Sequence, residues 1–85
     1  MTRTWLITGS TRGFGRRLAT GAPDHGDNVV ATARRPEQLG DLACSYGAQV
    51  RRAALDVTDP AAARAAVQVA ADEFGSLDVV VNNAG

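Results

Sequence analysis

Three observations predict an α/β fold in which a four-stranded parallel sheet, in the order 3-2-1-4, carries helices on both faces. Short apolar runs alternate with helix-like stretches at the spacing of right-handed crossover units. A glycine-rich loop, Thr8-Gly9-Ser10-Thr11-Arg12-Gly13-Phe14-Gly15, joins the first apolar run to the first helical stretch. The fourth run leads into Asn82-Asn83-Ala84-Gly85, a turn-like segment that would emerge at the same end of the sheet as that loop.

Each element follows from local chemistry. Arg3 to Thr8 reads as a buried strand because Trp5, Leu6 and Ile7 are consecutive apolar residues bounded by the glycine loop. Phe14 to about Ala22 is the first helix, expected to be short or broken near Gly21, because Pro23 removes a hydrogen bond and meets the carbonyl of Ala19. Asn28 to Ala33 forms the second strand, entered through the turn Asp24-His25-Gly26-Asp27. Pro36 opens a second helix to about Tyr46, which Gly47 stops. Gln49 to Leu55 alternates more than the other strands and is placed at an edge.

Thr58-Asp59-Pro60 then starts a helix, a side-chain cap followed by proline, that runs to Phe74 and stops at Gly75. Its buried face is expected to be Ala63, Val67, Ala70 and Phe74. Leu77 to Val81 is the fourth strand, central in a complete sheet and otherwise an apolar edge.

Composition narrows the function classes. The chain of 85 residues is at most one domain. Nine basic residues balance nine acidic ones, which gives no electrostatic footprint for nucleic acid or a membrane surface. All the basic residues are arginine, so a Walker-type phosphate loop, which needs a lysine, is excluded. A single cysteine, Cys44, and the lack of a leader-like or membrane-length apolar segment point to the cytoplasm. Cys44 reads as a small buried hydrophobe and His25 as a turn histidine, neither with partners for a metal.

The glycine loop is suited to an anion. A strand that turns sharply into a helix gathers backbone N–H groups and the positive helix end at one point. One glycine permits the turn, one clears space for a phosphate, and one lets helix and strand pack closely.

At Thr8, Gly9, Gly13 and Gly15 the chain matches T-G-x-x-x-G-x-G, at Asp56-Val57 it matches an aspartate-led pair after the third strand, and it closes on N-N-A-G. On these residues it resembles the amino-terminal portion of the short-chain dehydrogenases/reductases, which implies that residues 1–85 are a partial, truncated dinucleotide-binding domain of Rossmann type. The resemblance implies that the Gly9 to Gly15 loop, with Ser10, Arg12 and Phe14, cradles a pyrophosphate, that Asp56 accepts from the adenine amine, and that the Asn83, Ala84 and Gly85 backbone passes the adenosine ribose. Asp56 without the other motifs would read first as a helix or turn cap, and Asn82 and Asn83 would fit turn residues equally well.

Charge argues for NADP over NAD. An acidic residue at the end of the second strand would hold a ribose 2′-hydroxyl; Ala33 stands there, followed by Arg34, with Arg12 in the loop. The bland reading of Arg34 and Arg35 is a solvated pair. Asp27 belongs to the turn before the strand and is discounted as a ribose ligand. Arg16 and Arg17 could steer the cofactor or be solvated.

The resemblance also implies a catalytic Tyr-x-x-x-Lys, and the chain has no lysine. Its one tyrosine, Tyr46, reads as a helix-end packing residue, and no catalytic residue is assigned. The expected function is thus the NADP(H)-binding portion of an oxidoreductase, with homo-oligomers a property of the complete protein only. The alternatives are a catalytically dead nucleotide-binding module or degenerate fragment and, less consistent with Ala33, an S-adenosylmethionine-dependent methyltransferase.

Overall fold

A computed structural model describes residues 2–11, 13–56 and 58–83. Strands β1 (Thr4–Ile7), β2 (Asn28–Ala33), β3 (Val50–Ala54) and β4 (Val79–Val81) form one parallel sheet in the order β3-β2-β1-β4. Helices α1 (Gly13–Asp24) and α2 (Gly40–Tyr46) cover one face, and α3 (Pro60–Phe74) covers the other. The strand order and the two helical layers are those expected from the alternation of elements.

Two apolar clusters sandwich the sheet. Ile7, Val29, Ala31 and Val50 point toward Ala19 and Ala22 of α1 and Leu42 of α2, while Leu6 and Val30 point toward Ala66 and Ala70 of α3. Period-2 alternation along each strand sends neighbouring residues to opposite layers, so the central strands are apolar on both faces. The outer strand β3 has Val50 buried and then alternates between half-buried and exposed residues, as an edge strand does.

Several sequence expectations need correction. Helix α1 is unbroken at Gly21 and continues through Pro23 to Asp24. Pro23 lies one residue from the helix end, so its missing N–H forfeits a single bond, to Ala19. The exit turn is closed without it: the His25 N–H donates to the Gly21 carbonyl at 3.1 Å, and the Gly26 N–H donates to the Pro23 carbonyl at 2.9 Å. The Gln49 side-chain amide also donates to that carbonyl at 3.2 Å. A buried proline is thereby held by contacts from a distant segment.

The buried face of α3 is rotated from the expected one. Ala66 and Ala70 are buried with Val69 and Phe74 packed beside them, whereas Ala63 is exposed and Val67 is 43% exposed. Small side chains at Ala66 and Ala70 bring the helix close to Leu6 and Val30, which the bulkier Val67 would prevent. Both ends of α3 follow expectation: Asp59 Oδ1 accepts from the N–H groups of Ala61 and Ala62, and Gly75 closes the helix at φ 78°.

The segment opened by Pro36 divides into a 3-10 turn, Pro36–Leu39, and α2, with Gly47 at φ 55° as the stop. Cys44 is exposed on α2, not buried, because Leu39 and Leu42 supply the face that meets the sheet.

Candidate cofactor-binding rim

Parallel strands deliver their carboxyl ends to one rim, and four loops meet there: Thr8-Gly9 after β1, Arg34 after β2, Asp56 after β3 and Asn82-Asn83 after β4. The order reverses direction between β1 and β4, which places a crevice beside the glycine loop.

The loop is fixed from both sides. Toward β4, the Thr8 N–H donates to the Val81 carbonyl at 3.0 Å, and the Asn83 N–H donates to Thr8 Oγ1 at 2.8 Å. Asn83 Nδ2 also donates to the Gly9 carbonyl at 3.4 Å. Toward β2, the Ser10 N–H donates to the Thr32 carbonyl at 3.1 Å. The hydroxyls of Ser10 and Thr32 both donate to the Ile7 carbonyl, at 2.8 and 3.0 Å. Ser10 is fully buried, so its hydroxyl shapes the turn from beneath.

The three glycines divide the labour as their chemistry requires. Gly9 and Gly13 take φ 62° and 66°, a left-handed backbone that disfavours a side chain. A Cβ on Gly13 would meet nothing within 4 Å, which leaves open space at the first turn of α1. A Cβ on Gly15 would lie 2.3 Å from the Gly9 carbonyl oxygen and 2.7 Å from Asn83 Nδ2. Helix, turn and fourth strand therefore touch at Gly15.

The first turn of a helix has N–H groups without partners inside the helix, and α1 begins at Gly13, beside that open space. Rim and glycine spacing together fit a pyrophosphate. Phe14 is 63% exposed at the same turn.

Asp56 is exposed, with Oδ1 accepting from the Thr58 hydroxyl at 2.7 Å and the Thr58 N–H at 3.0 Å. The bond from the Thr58 hydroxyl, then the Thr58 N–H, and more weakly the Arg34 charge, hold its carboxyl below the usual range against a small opposing effect of burial. The turn-cap geometry considered from sequence is thus present, and Arg34 is close enough to act on the same carboxylate. Arg34 and Arg35 are both exposed. Arg12, Val57, Ala84 and Gly85, also named from sequence, lie outside the described residues.

Other candidates lie elsewhere. Arg16 pairs with Asp41 of α2, which ties two helices together and holds the Asp41 carboxyl below its usual range. Asp27 sits at the opposite, amino-terminal edge, where it accepts from the Arg3 N–H and the Trp5 indole N–H, each at 3.0 Å. Tyr46 packs against the α1 and α2 layer and donates its hydroxyl to Asp24 Oδ1 at 2.9 Å, a bond that raises its pKa. Among the described residues no group of three or more His, Cys, Asp or Glu side chains could hold a metal, and no helix is long and apolar enough to cross a membrane. Sequence assigned neither Thr32 nor Thr58 to the site, and named Thr58 only in the start of α3. A hydroxyl inside the otherwise apolar run Val29 to Ala33 was the available signal for Thr32.

A doubly wound sheet with a glycine turn pinned at its switch point defines a dinucleotide-binding α/β protein. The short chain dehydrogenase family model matches residues 3–85, and the chain belongs to that family. It is 50% identical over 86 residues to an oxidoreductase of Botryotinia fuckeliana, covering all of this chain and 31% of that protein. It is 41% identical over 85 residues to serine 3-dehydrogenase of Agrobacterium fabrum, covering 34% of that enzyme.

Among solved structures, a short-chain dehydrogenase from Streptomyces avermitilis superposes with a TM-score of 0.93 at 41% identity, with all of this chain covering 31% of it. L-sorbose reductase from Gluconobacter frateurii, solved with NADPH and L-sorbose, gives 0.86 at 34% identity, with 99% of this chain covering 34% of it. The chain spans about a third of the length of the relatives it matches.

Proposed function

We propose that residues 1–85 form the NADP(H)-binding portion of a short-chain dehydrogenase-type oxidoreductase, in which the complete protein transfers hydride between the nicotinamide and a carbonyl or alcohol. The observation that carries this reading is the glycine turn held open at Gly13, closed at Gly15 and clamped by Asn83. Backbone N–H groups from Gly9 to Gly15 would hold the pyrophosphate, with Ser10 fixing the turn and Phe14 covering it. Asp56 and Val57 would meet the adenine, and the Asn83, Ala84 and Gly85 backbone the adenosine ribose.

Arg34 and Arg12 would meet the 2′-phosphate. Ala33 leaves that place without a carboxylate to repel it. The similarity to a reductase solved with NADPH is consistent with this preference. Bound cofactor would donate or accept the hydride; the chain supplies binding and orientation.

Among the described residues of the chain none is assigned to move the proton. Lysine is absent from its composition, and Tyr46 is engaged by Asp24 at the amino-terminal edge, away from the rim. The purified chain should bind NADPH yet show no turnover with a panel of ketones and aldehydes. Gly13→Val should abolish binding while far-UV dichroism stays unchanged. Turnover by the chain, or undiminished binding by the variant, would overturn the proposal. We place the complete protein in the cytoplasm and assign any self-association to it.

A further inference from the structure

We propose that Thr58 is a positioning residue for nucleotide recognition: it engages one oxygen of Asp56, Oδ1, and thereby presents the other, Oδ2, to the exocyclic amine of the adenine. This rests on the adenine role assigned to Asp56 above. Both donors of Thr58, the hydroxyl at 2.7 Å and the backbone N–H at 3.0 Å, converge on Oδ1. Among the described residues no hydrogen bond reaches Oδ2.

Two donors on one oxygen restrict rotation of the carboxylate plane. A bond to an amine donor requires a lone pair on a fixed oxygen, and a freely turning carboxylate would lose entropy on binding. The helix beyond has its own cap in Asp59, so the Thr58 hydroxyl is not needed to start α3. The Asp56 carbonyl accepts from the Asp59 N–H at 2.9 Å, and this bond keeps the turn closed without the Thr58 side chain.

The test compares the dissociation constants of NADP+ and nicotinamide hypoxanthine dinucleotide phosphate, whose base carries an oxygen in place of the amine. Wild type should prefer the adenine cofactor by about tenfold, the scale of one hydrogen bond to a charged acceptor. In Thr58→Val that ratio should fall to within about twofold, and Thr58→Ser should restore it. Thr58→Ala provides a second reading. An unchanged ratio in folded Thr58→Val or Thr58→Ala overturns the proposal, as does failure of both to fold, which would assign Thr58 to the turn alone.

Asp56→Asn separates the two levels. If it and wild type both lack base discrimination while NADPH still binds, the adenine role of Asp56 falls and this inference with it. If it loses discrimination and Thr58→Val does not, only the inference about Thr58 falls.

Discussion

Asn83 donates its backbone N–H to Thr8 Oγ1 at 2.8 Å, so the residue that closes β1 is bonded to the segment that leaves β4, 75 positions later. A threonine in a nucleotide loop is easily assigned to the ligand. Here its hydroxyl accepts from the protein itself and sets the distance between the two walls of the crevice. Thr8→Val keeps the shape but leaves the Asn83 N–H without that acceptor, which should cost about 1–3 kcal/mol in urea unfolding. Thr8→Ser should stay within about 0.5 kcal/mol of wild type if the hydroxyl and not the methyl group is what matters.

Two glycines of α1 should respond oppositely to alanine. At Gly15 the new Cβ would overlap the Gly9 carbonyl, and backbone cannot yield as a side-chain tip can, so Gly15→Ala should lose about 3 kcal/mol or more. At Gly21 nothing lies within 4 Å and φ is ordinary, so Gly21→Ala should gain about 0.5–1 kcal/mol through helix propensity. Equal effects at the two sites would show that the close contact at Gly15 is absent in solution.

Asp27 predicts a pH dependence away from the rim. The Arg3 N–H and then the Trp5 indole hold its carboxyl below the ordinary value of 3.8. A depressed carboxylate pKa means that the unfolded chain binds the proton first as pH falls. Its stabilisation is therefore complete above about pH 4 to 5 and is lost as pH drops through the folded value. Asp27→Asn should have a lower urea midpoint at pH 7, and its deficit should shrink as pH falls below the ordinary carboxylate value. Trp5, the single tryptophan, reports the transition by fluorescence.

The caps of α3 and the glycine turn could be read from sequence because each depends on neighbouring residues, and the strand order because alternating strands and helices joined by right-handed crossovers leave few arrangements. What escaped depends on contacts between distant segments. Pro23 reads as a helix breaker, but α1 ends one residue after it, so only the bond to Ala19 is lost, and that end is held in part by Gln49, 26 residues away, on the Pro23 carbonyl. Helical spacing puts the buried stripe of α3 on Ala63, Val67, Ala70 and Phe74, but the approach of the helix to Leu6 and Val30 selects Ala66 beside Ala70. At the site, the glycines and Asp56 were visible as a pattern. The supporting hydroxyls were not: Thr32 meets Ile7 only across two strands, and the aim of Thr58 onto Asp56 depends on the turn between them.

Cofactor choice gives the most direct test. Titration of the purified chain with NADPH and with NADH, followed by reduced-nicotinamide fluorescence, should give tighter binding of NADPH by about tenfold or more, a difference that Arg34→Ala removes by weakening NADPH alone. Equal affinity for the two, a preference for NADH, or an Arg34→Ala variant that keeps the wild-type ratio would contradict a 2′-phosphate held beside Ala33.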